Sequence, residues 1–404
     1  LTIIKPHYIL TPHTLFENKA IAFDKIIHAI DDFDTLCADY PDAQIVETPK
    51  NSLLMPGLIN THVHLEFSAN KTTLEYGSFM PWLHSVIKNR DELISTCNEA
   101  CMQKAIDLML HSGTTSFGAI SSHGYDLSAA EKAPQNVIFF NELIGSQAVM
   151  ADTLYGDFLE RLDASKMVTR EGFYPAVAIH SPYSVHPILI KRALDVAKNE
   201  HLPLSAHFLE SPAEREWCES NSGEFAPFFK EFLKQEYSVN SSDEFLSLFE
   251  GHPALMTHVL QASEHQLQKL HDDGHHVIHC PISNRLLGNG AIDIDALERV
   301  GVDWLCATDG LSSNYTLDLF EEMKIALFMH HGQDLLRFAQ KLLESVTCKV
   351  AKALGLNTGS IEVGKNADMI LLNLDETPNE QLVLHLLLHH YKIQSVYING
   401  TKAL

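Results

Sequence analysis

The chain has 404 residues, 45% of them hydrophobic, and carries 29 Lys and Arg against 52 Asp and Glu, a formal charge of −23. That apolar content supports a large core and excludes general disorder, while the acidic balance argues against duplex nucleic acid or an anionic membrane as the main partner. No apolar run approaches the ~20 residues of a membrane helix, and the 24 histidines pose a choice between a metal site and a polar surface.

Residues 1–54 hold short strand-like runs at 1–4, 8–10, 20–23, 26–30 and 45–47, with one helical stretch at 33–40. From about residue 55 amphipathic helices alternate with short apolar strands. The helix at 98–111 ends at Gly113 before 114–117, and the helix at 187–199 gives way to 202–208. Another opens on Ser263 with Gln266 three residues on, a capping box, and stops at Gly274 before 276–280; the helix at 294–300 ends at Gly301 before 302–307. Repeated helix–glycine–strand units predict a parallel sheet. Eight strand candidates, at 58–63, 114–117, 137–141, 176–179, 202–208, 254–258, 276–280 and 304–308, match a (β/α)8 barrel. A doubly wound sheet is the alternative, but no GxGxxG opens a helix. After residue 355, β-like runs return at 367–374 and 396–399. The expectation is an α/β chain with a TIM-type (β/α)8 barrel over 55–355 and a small β-sandwich built from both termini, 1–54 and 356–404. The polar segment 211–242, with Phe225, Phe228 and Phe229, reads as an insertion over the barrel mouth.

The seven cysteines are odd in number and contain no CxxC pair, which fits a reduced, cytoplasmic compartment better than a disulfide framework. The opening Leu-Thr-Ile-Ile-Lys-Pro-His lacks the pattern of a signal peptide. The apolar, His-rich stretch 382–390 is the candidate surface for a homodimer.

The strongest local signal is Pro56-Gly57-Leu58-Ile59-Asn60-Thr61-His62-Val63-His64. Two imidazoles two residues apart at a strand end share one face, roughly 7 Å apart along the chain, and can meet on one divalent ion. Taken alone, an HxH is as often a pair of satisfied buried histidines. Further ligand-type residues end other strands: His207 the fifth, His258 the sixth and Asp309 the eighth. Barrel enzymes place their chemistry at those carboxyl ends. His279-Cys280 could suggest a Cys/His metal site, but Pro281 and Asn284 point to a turn over the pocket. The run Gly359 to Asn366 nearly spells a P-loop; Asn stands where Ser or Thr should bind Mg2+, and a strand follows instead of a helix, so a phosphate site is rejected.

Together these residues resemble the amidohydrolase superfamily over nearly the whole chain. The resemblance rests on the Pro-Gly-x-x-x-x-His-x-His entry, His207 with Glu210, His258, His279-Cys280-Pro281-x-Ser283-Asn284, Thr308-Asp309-Gly310 and the return Gly359 to Asp368. Two-metal members end strand four with a carboxylated Lys; Ala178-Ile179-His180 stands here and resembles the mononuclear branch of deaminases and triazine hydrolases. The resemblance implies His62, His64, His207 and Asp309 as ligands of one divalent ion, Zn2+ or Fe2+ with Mn2+ also compatible. It implies Glu210 as proton shuttle and His258 as the residue orienting the attacking water, with Asp309 also taking a proton. Bound Zn2+ brings the pKa of its water to about 7, and a carboxylic acid can protonate a ring nitrogen as charge develops there. For Glu210 the bland reading is a surface carboxylate or a salt partner of Arg215; for His258 it is a satisfied core histidine.

Substrate contacts are expected from His180, Glu66, Glu142 and Trp82, the last with Phe79 as a stacking wall. The stretches 62–68, 82–93 and 283–290 are most similar to the aminodeoxyfutalosine deaminases of ε-proteobacteria, which act in menaquinone biosynthesis on an adenine nucleoside with a carboxyphenyl tail. A carboxylate tail asks for a guanidinium, and Arg285 and Arg215 are the candidates. The expected partner is therefore a small nucleoside, without nucleic acid or membrane. The alternatives are a methylthioadenosine or S-adenosylhomocysteine deaminase, a guanine or triazine hydrolase of the same superfamily, and, from another class, a non-catalytic scaffold that has kept the barrel.

Overall fold

Glycine punctuates the computed structural model, which describes every residue except His13 and His390 and only the backbone of Phe232. The helix Glu99–His111, capped by the Asn98 side chain, is followed by Gly113 at φ 88°, and the strand Thr114–Ser121 begins at the next residue. The helix Ile294–Val300 stops at Gly301, φ 89°, a left-handed cap that a side chain would strain. Ser263 and Gln266 close a full capping box on Glu264–Asp272.

These stops deliver eight parallel strands, Leu58–Val63, Thr114–Ser121, Asn136–Leu143, Phe173–Ile179, Leu204–Phe208, Leu255–His258, His276–His279 and Trp304–Cys306. Each is hydrogen-bonded to its neighbour in chain order. All eight fall on the expected runs, and the second, third and fourth extend beyond them. Strands one and eight, at the ends of that order, close the ring through side chains. Asn60 accepts the Thr308 N–H through Oδ1 at 3.2 Å and donates through Nδ2 to Thr308 Oγ1 at 2.7 Å. The Asp309 N–H donates to the His62 carbonyl at 3.0 Å.

Two further sheets come from the termini. One has the order Ile27–Asp32, Lys19–Phe23, Thr2–Lys5, Gln44–Glu47. The other runs Thr401–Lys402, Ile393–Ile398, Met369–Asn373, Ser52–Pro56, Tyr8–Leu10, Leu15–Glu17. Ile4, Ile21 and Phe23 of the first share a buried cluster with Ile9, Leu54, Met369 and Leu371 of the second. The strand Ser52–Pro56 belongs to the second sheet and runs directly into the first barrel strand, so the two layers meet within two residues of His62's strand.

The segment after strand five carries the helix Pro212–Ser220, and its Trp217, with Phe225 and Phe229, packs on Phe79 and Met80 from the helix Phe79–Thr96. The stretch expected as a dimer surface is spent internally. Leu382, Leu384, Leu386 and Leu387 of the helix Leu382–Leu388 are buried in the chain's own core, and His390 lies outside the described residues. Among the described residues no helix is long and apolar enough to cross a membrane.

The ring closure yields a direct prediction. Asn60→Ala leaves the Thr308 N–H unpaired and takes one of the two partners of its hydroxyl in a fully buried seam, and the expected loss is about 1–3 kcal/mol of unfolding free energy in a urea titration. Wild-type stability in that variant would contradict the role given to Asn60.

Candidate active site

The carboxyl ends of the barrel strands bring His62, His64, His207, His258 and Asp309 into one cluster. Ring centroids of His62 lie 5.0 Å from His64 and 4.9 Å from His207, and His258 stacks on His207 at 5.6 Å. One nitrogen from each of His62, His64 and His207 lies within 4.8 Å of the others. Asp309 Oδ1 is 3.7 Å from Nε2 of both His62 and His64. Gly310 permits this approach: a Cβ there would meet the Cβ and carbonyl of His64 at 2.8 Å.

The chemistry of these donors fits a divalent ion. Burial holds the imidazoles of His62 and His207 well below their usual value, so both are neutral, as ligands must be. His62 Nε2 is buried with no hydrogen-bond partner. His207 Nδ1 faces the His180 carbonyl at 3.0 Å; a carbonyl only accepts, so the proton sits on Nδ1 and the Nε2 lone pair faces the cluster. Burial would raise the Asp309 carboxyl, but His64, His62 and His258 outweigh it and hold it at about 2. Its Oδ2 accepts from Ser283 Oγ at 2.8 Å and Ser313 Oγ at 2.6 Å. A second triangle, Glu142, His180 and His207, also meets within 4.8 Å. There the His207 nitrogen nearest Glu142, at 3.8 Å, is the protonated Nδ1, which has no lone pair to offer a metal.

Glu210 follows strand five, with its Oε1 3.6 Å from His258 Nε2. Burial, with Asp309 and Glu214 nearby, pushes its carboxyl well above the usual range, which favours its protonated form. Glu214 was not expected from the sequence reading. It is buried, and its carboxylate accepts from the Leu209 and Glu210 backbone N–H groups at 3.0 and 2.8 Å, pinning the strand end that carries Glu210. The signal was present as Ser211-x-x-Glu214 before a helix; Ser211 caps that helix, while the glutamate serves two amides further upstream. The backbone at Leu209, His258, Val259 and Asp309 lies at φ between 48° and 73°, a left-handed conformation that costs energy in non-glycine residues and concentrates here, around the cluster.

A cavity of about 210 Å³ lies over the cluster, lined by His180, Glu142, Trp82, Phe79, Phe67 and Tyr183 among others. His180 Nδ1 bonds to Ser181 and Ser184 hydroxyls at 2.9 and 2.7 Å. Trp82 donates its indole N–H to the Ser312 carbonyl at 2.8 Å, which fixes the ring as a wall. Glu142 is 1% exposed; Oε2 accepts from Ser122 Oγ at 2.6 Å, and Oε1 has no partner. A larger cavity, about 1060 Å³, lies apart from the His62, His64 and His207 cluster, beside Cys101, Leu108, Tyr315 and Tyr391.

Three of the expected substrate contacts do not reach the cavity. Glu66 is buried, and its carboxylate accepts from the N–H groups of Ser122, His123 and Tyr125 at 2.9 to 3.1 Å, so it ties down the loop after strand two. Arg285 and Arg215 are exposed. Arg285 sits on the outer face of the helix Pro281–Leu286, whose inner face carries Ser283 and Asn284. Arg215 alternates with the buried Glu214 and Trp217 on Pro212–Ser220.

Fold and site together define a barrel hydrolase of carbon–nitrogen bonds, and the amidohydrolase family model matches residues 53–402, so the chain belongs to that family. It is 50% identical over 402 residues, 99% of this chain and 98% of the relative, to a protein of Nitratiruptor sp. named aminodeoxyfutalosine deaminase. It is 34% identical, over 96% of both chains, to a Helicobacter pylori protein named adenosine deaminase. The crystal structure of Helicobacter pylori aminofutalosine deaminase in complex with methylthio-coformycin is similar over the full length of both chains, with a TM-score of 0.94 and 32% identity. A zinc-bound adenosine deaminase from Xanthomonas campestris shares the fold at a TM-score of 0.79 and 23% identity, covering 100% of this chain and 92% of that one.

The placement of the arginines and Glu66 separates two kinds of loss. Arg215→Ala and Arg285→Ala are expected to leave kcat/KM within about twofold, as exposed side chains that do not line the cavity over the cluster do. Glu66→Ala is expected to cost about 2 kcal/mol or more by unpairing buried amides from a carboxylate. A tenfold loss of kcat/KM in either arginine variant would restore the tail-binding role.

Proposed function

We propose that the chain is a hydrolytic deaminase that replaces the 6-amino group of an adenine nucleoside with oxygen, and that its preferred substrate is aminodeoxyfutalosine, converted to futalosine on the route to menaquinone. The observation that carries this reading is the convergence of His62, His64, His207 and Asp309 with the buried carboxyl of Glu210 at one cavity. Similarity at 50% identity to a protein named for that substrate supports the choice. One divalent ion per chain, Zn2+ or Fe2+ with Mn2+ compatible, would be held by those four residues, and when bound it supplies a Lewis acid that makes water nucleophilic at neutral pH.

The residues then divide the proton work. Glu210 gives its proton to the ring nitrogen beside the reacting carbon as negative charge builds there. His258 Nε2 accepts a hydrogen bond from the attacking water and orients it. Asp309 takes a proton from the oxygen once it has added to carbon. Water's two protons are thereby placed: one restores Glu210, and the other passes through Asp309 to the departing ammonia. Glu142 Oε1 and His180 offer buried acceptors to the sugar hydroxyls, and Trp82 with Phe79 stacks on the flat ring.

The chain is read as a composite β-sandwich, 1–54 and 356–404, around a catalytic barrel, 55–355. Seven free cysteines support a cytoplasmic setting. A second reading, deamination of methylthioadenosine, S-adenosylhomocysteine or adenosine, is favoured by the 34% relative named adenosine deaminase and by the methylthio-coformycin complex of the structural neighbour. The triazine hydrolases are 17% identical and share the fold alone.

Ammonia release across aminodeoxyfutalosine, methylthioadenosine, S-adenosylhomocysteine, adenosine and guanine tests the assignment. Aminodeoxyfutalosine is expected to lead in kcat/KM by tenfold or more, and preference for guanine would overturn the reading. Glu210→Gln is expected to lose about 10²–10⁴ in kcat while retaining its metal; full turnover in that variant would remove the proton shuttle.

A further inference from the structure

Asn284, after strand seven, links a cavity histidine to side chains outside the cavity. His258 Nδ1 lies 3.0 Å from Asn284 Oδ1. An amide oxygen only accepts, so the His258 proton sits on Nδ1. Asn284 Nδ2 lies 3.3 Å from His279 Nδ1. An amide NH2 only donates, so His279 carries its proton on Nε2. That nitrogen is 3.0 Å from His330 Nε2, which must accept. His279 is fully buried and, by desolvation, neutral. His330 is half-buried at the end of the helix Leu319–Met329.

The four side chains therefore form one directional chain. Reversing the Asn284 amide would reverse every donor and acceptor together. A mixed state would bury two facing N–H groups or two facing lone pairs, which costs more than either uniform state. The tautomer of a histidine inside the cavity is thus coupled to a residue outside it.

We propose that Asn284, His279 and His330 are positioning residues that fix His258 as the Nδ1–H tautomer, leaving its Nε2 lone pair toward Glu210 and the attacking water. This rests on the role given above to His258. The opposite tautomer would present an N–H to the cavity and could not accept from water.

The test is to force the far end of the chain. His330→Glu places an acceptor-only side chain opposite His279 and preserves the direction. His330→Lys places a donor-only side chain there and reverses it. In the zinc-loaded enzyme, His330→Glu is expected to keep kcat within about threefold. His330→Lys is expected to lose tenfold or more in kcat with KM within about twofold, at matched thermal midpoints. The ¹⁵N shifts of the His258 ring should show the proton on Nδ1 in the wild type and the Glu variant, and on Nε2 in the Lys variant. Equal kcat in the two variants, or a wild-type proton on Nε2, overturns the proposal. The ring shifts are read without turnover, so a wild type inactive on every nucleoside would defeat the deaminase reading and leave this assignment to stand or fall by itself.

Discussion

The seam between the first and eighth barrel strands is the constraint on which the site depends. Parallel strands one and eight are not joined by a regular ladder; Asn60 bridges to Thr308, and the Asp309 amide meets the His62 carbonyl. That last bond sets a carboxylate beside an imidazole taken from opposite ends of a chain segment some 250 residues long. Gly310 lets the backbone of His64 pass within reach. Without the seam there would be three histidines and no anion to balance a divalent charge.

Burial then sorts the titratable groups into roles. It strips charge from His62 and His207 and raises the Glu210 carboxyl, while neighbouring histidines hold Asp309 low. Two carboxyl groups in one cavity are thus shifted in opposite directions because their surroundings differ, which suits the one to the proposed role of proton donor and the other to that of anionic ligand. The supports are as specific as the groups themselves: serine hydroxyls on Asp309, Glu214 on the strand end of Glu210, a carbonyl on His207 and Asn284 on His258.

Much of this was legible from spacing. Helix–glycine–strand units located the second, seventh and eighth barrel strands and short apolar runs the other five, and the residues that end strands one, five, six and eight do meet. The failures share a physical cause. A period of two continued from His64 puts Glu66 on the cavity face, but the strand ends at Val63 and the period ends with it. Arg215 and Arg285 were chosen for their chemistry, and spacing alone does not say which face of a short helix turns inward. Glu214 was hidden because a familiar capping pattern put its carboxylate to a less familiar use. The leucines at 382–387 looked like an interface because an apolar run reads the same whether a partner or the chain itself covers it.

Metal titration of metal-free protein, followed by ammonia release from aminodeoxyfutalosine, tests the central claim most directly. If His62, His64, His207 and Asp309 hold one divalent ion that the reaction requires, activity rises from near zero and saturates at one equivalent of Zn2+ per chain. Full activity in protein shown to hold no metal would contradict the account, as would activity that rises only with a second equivalent.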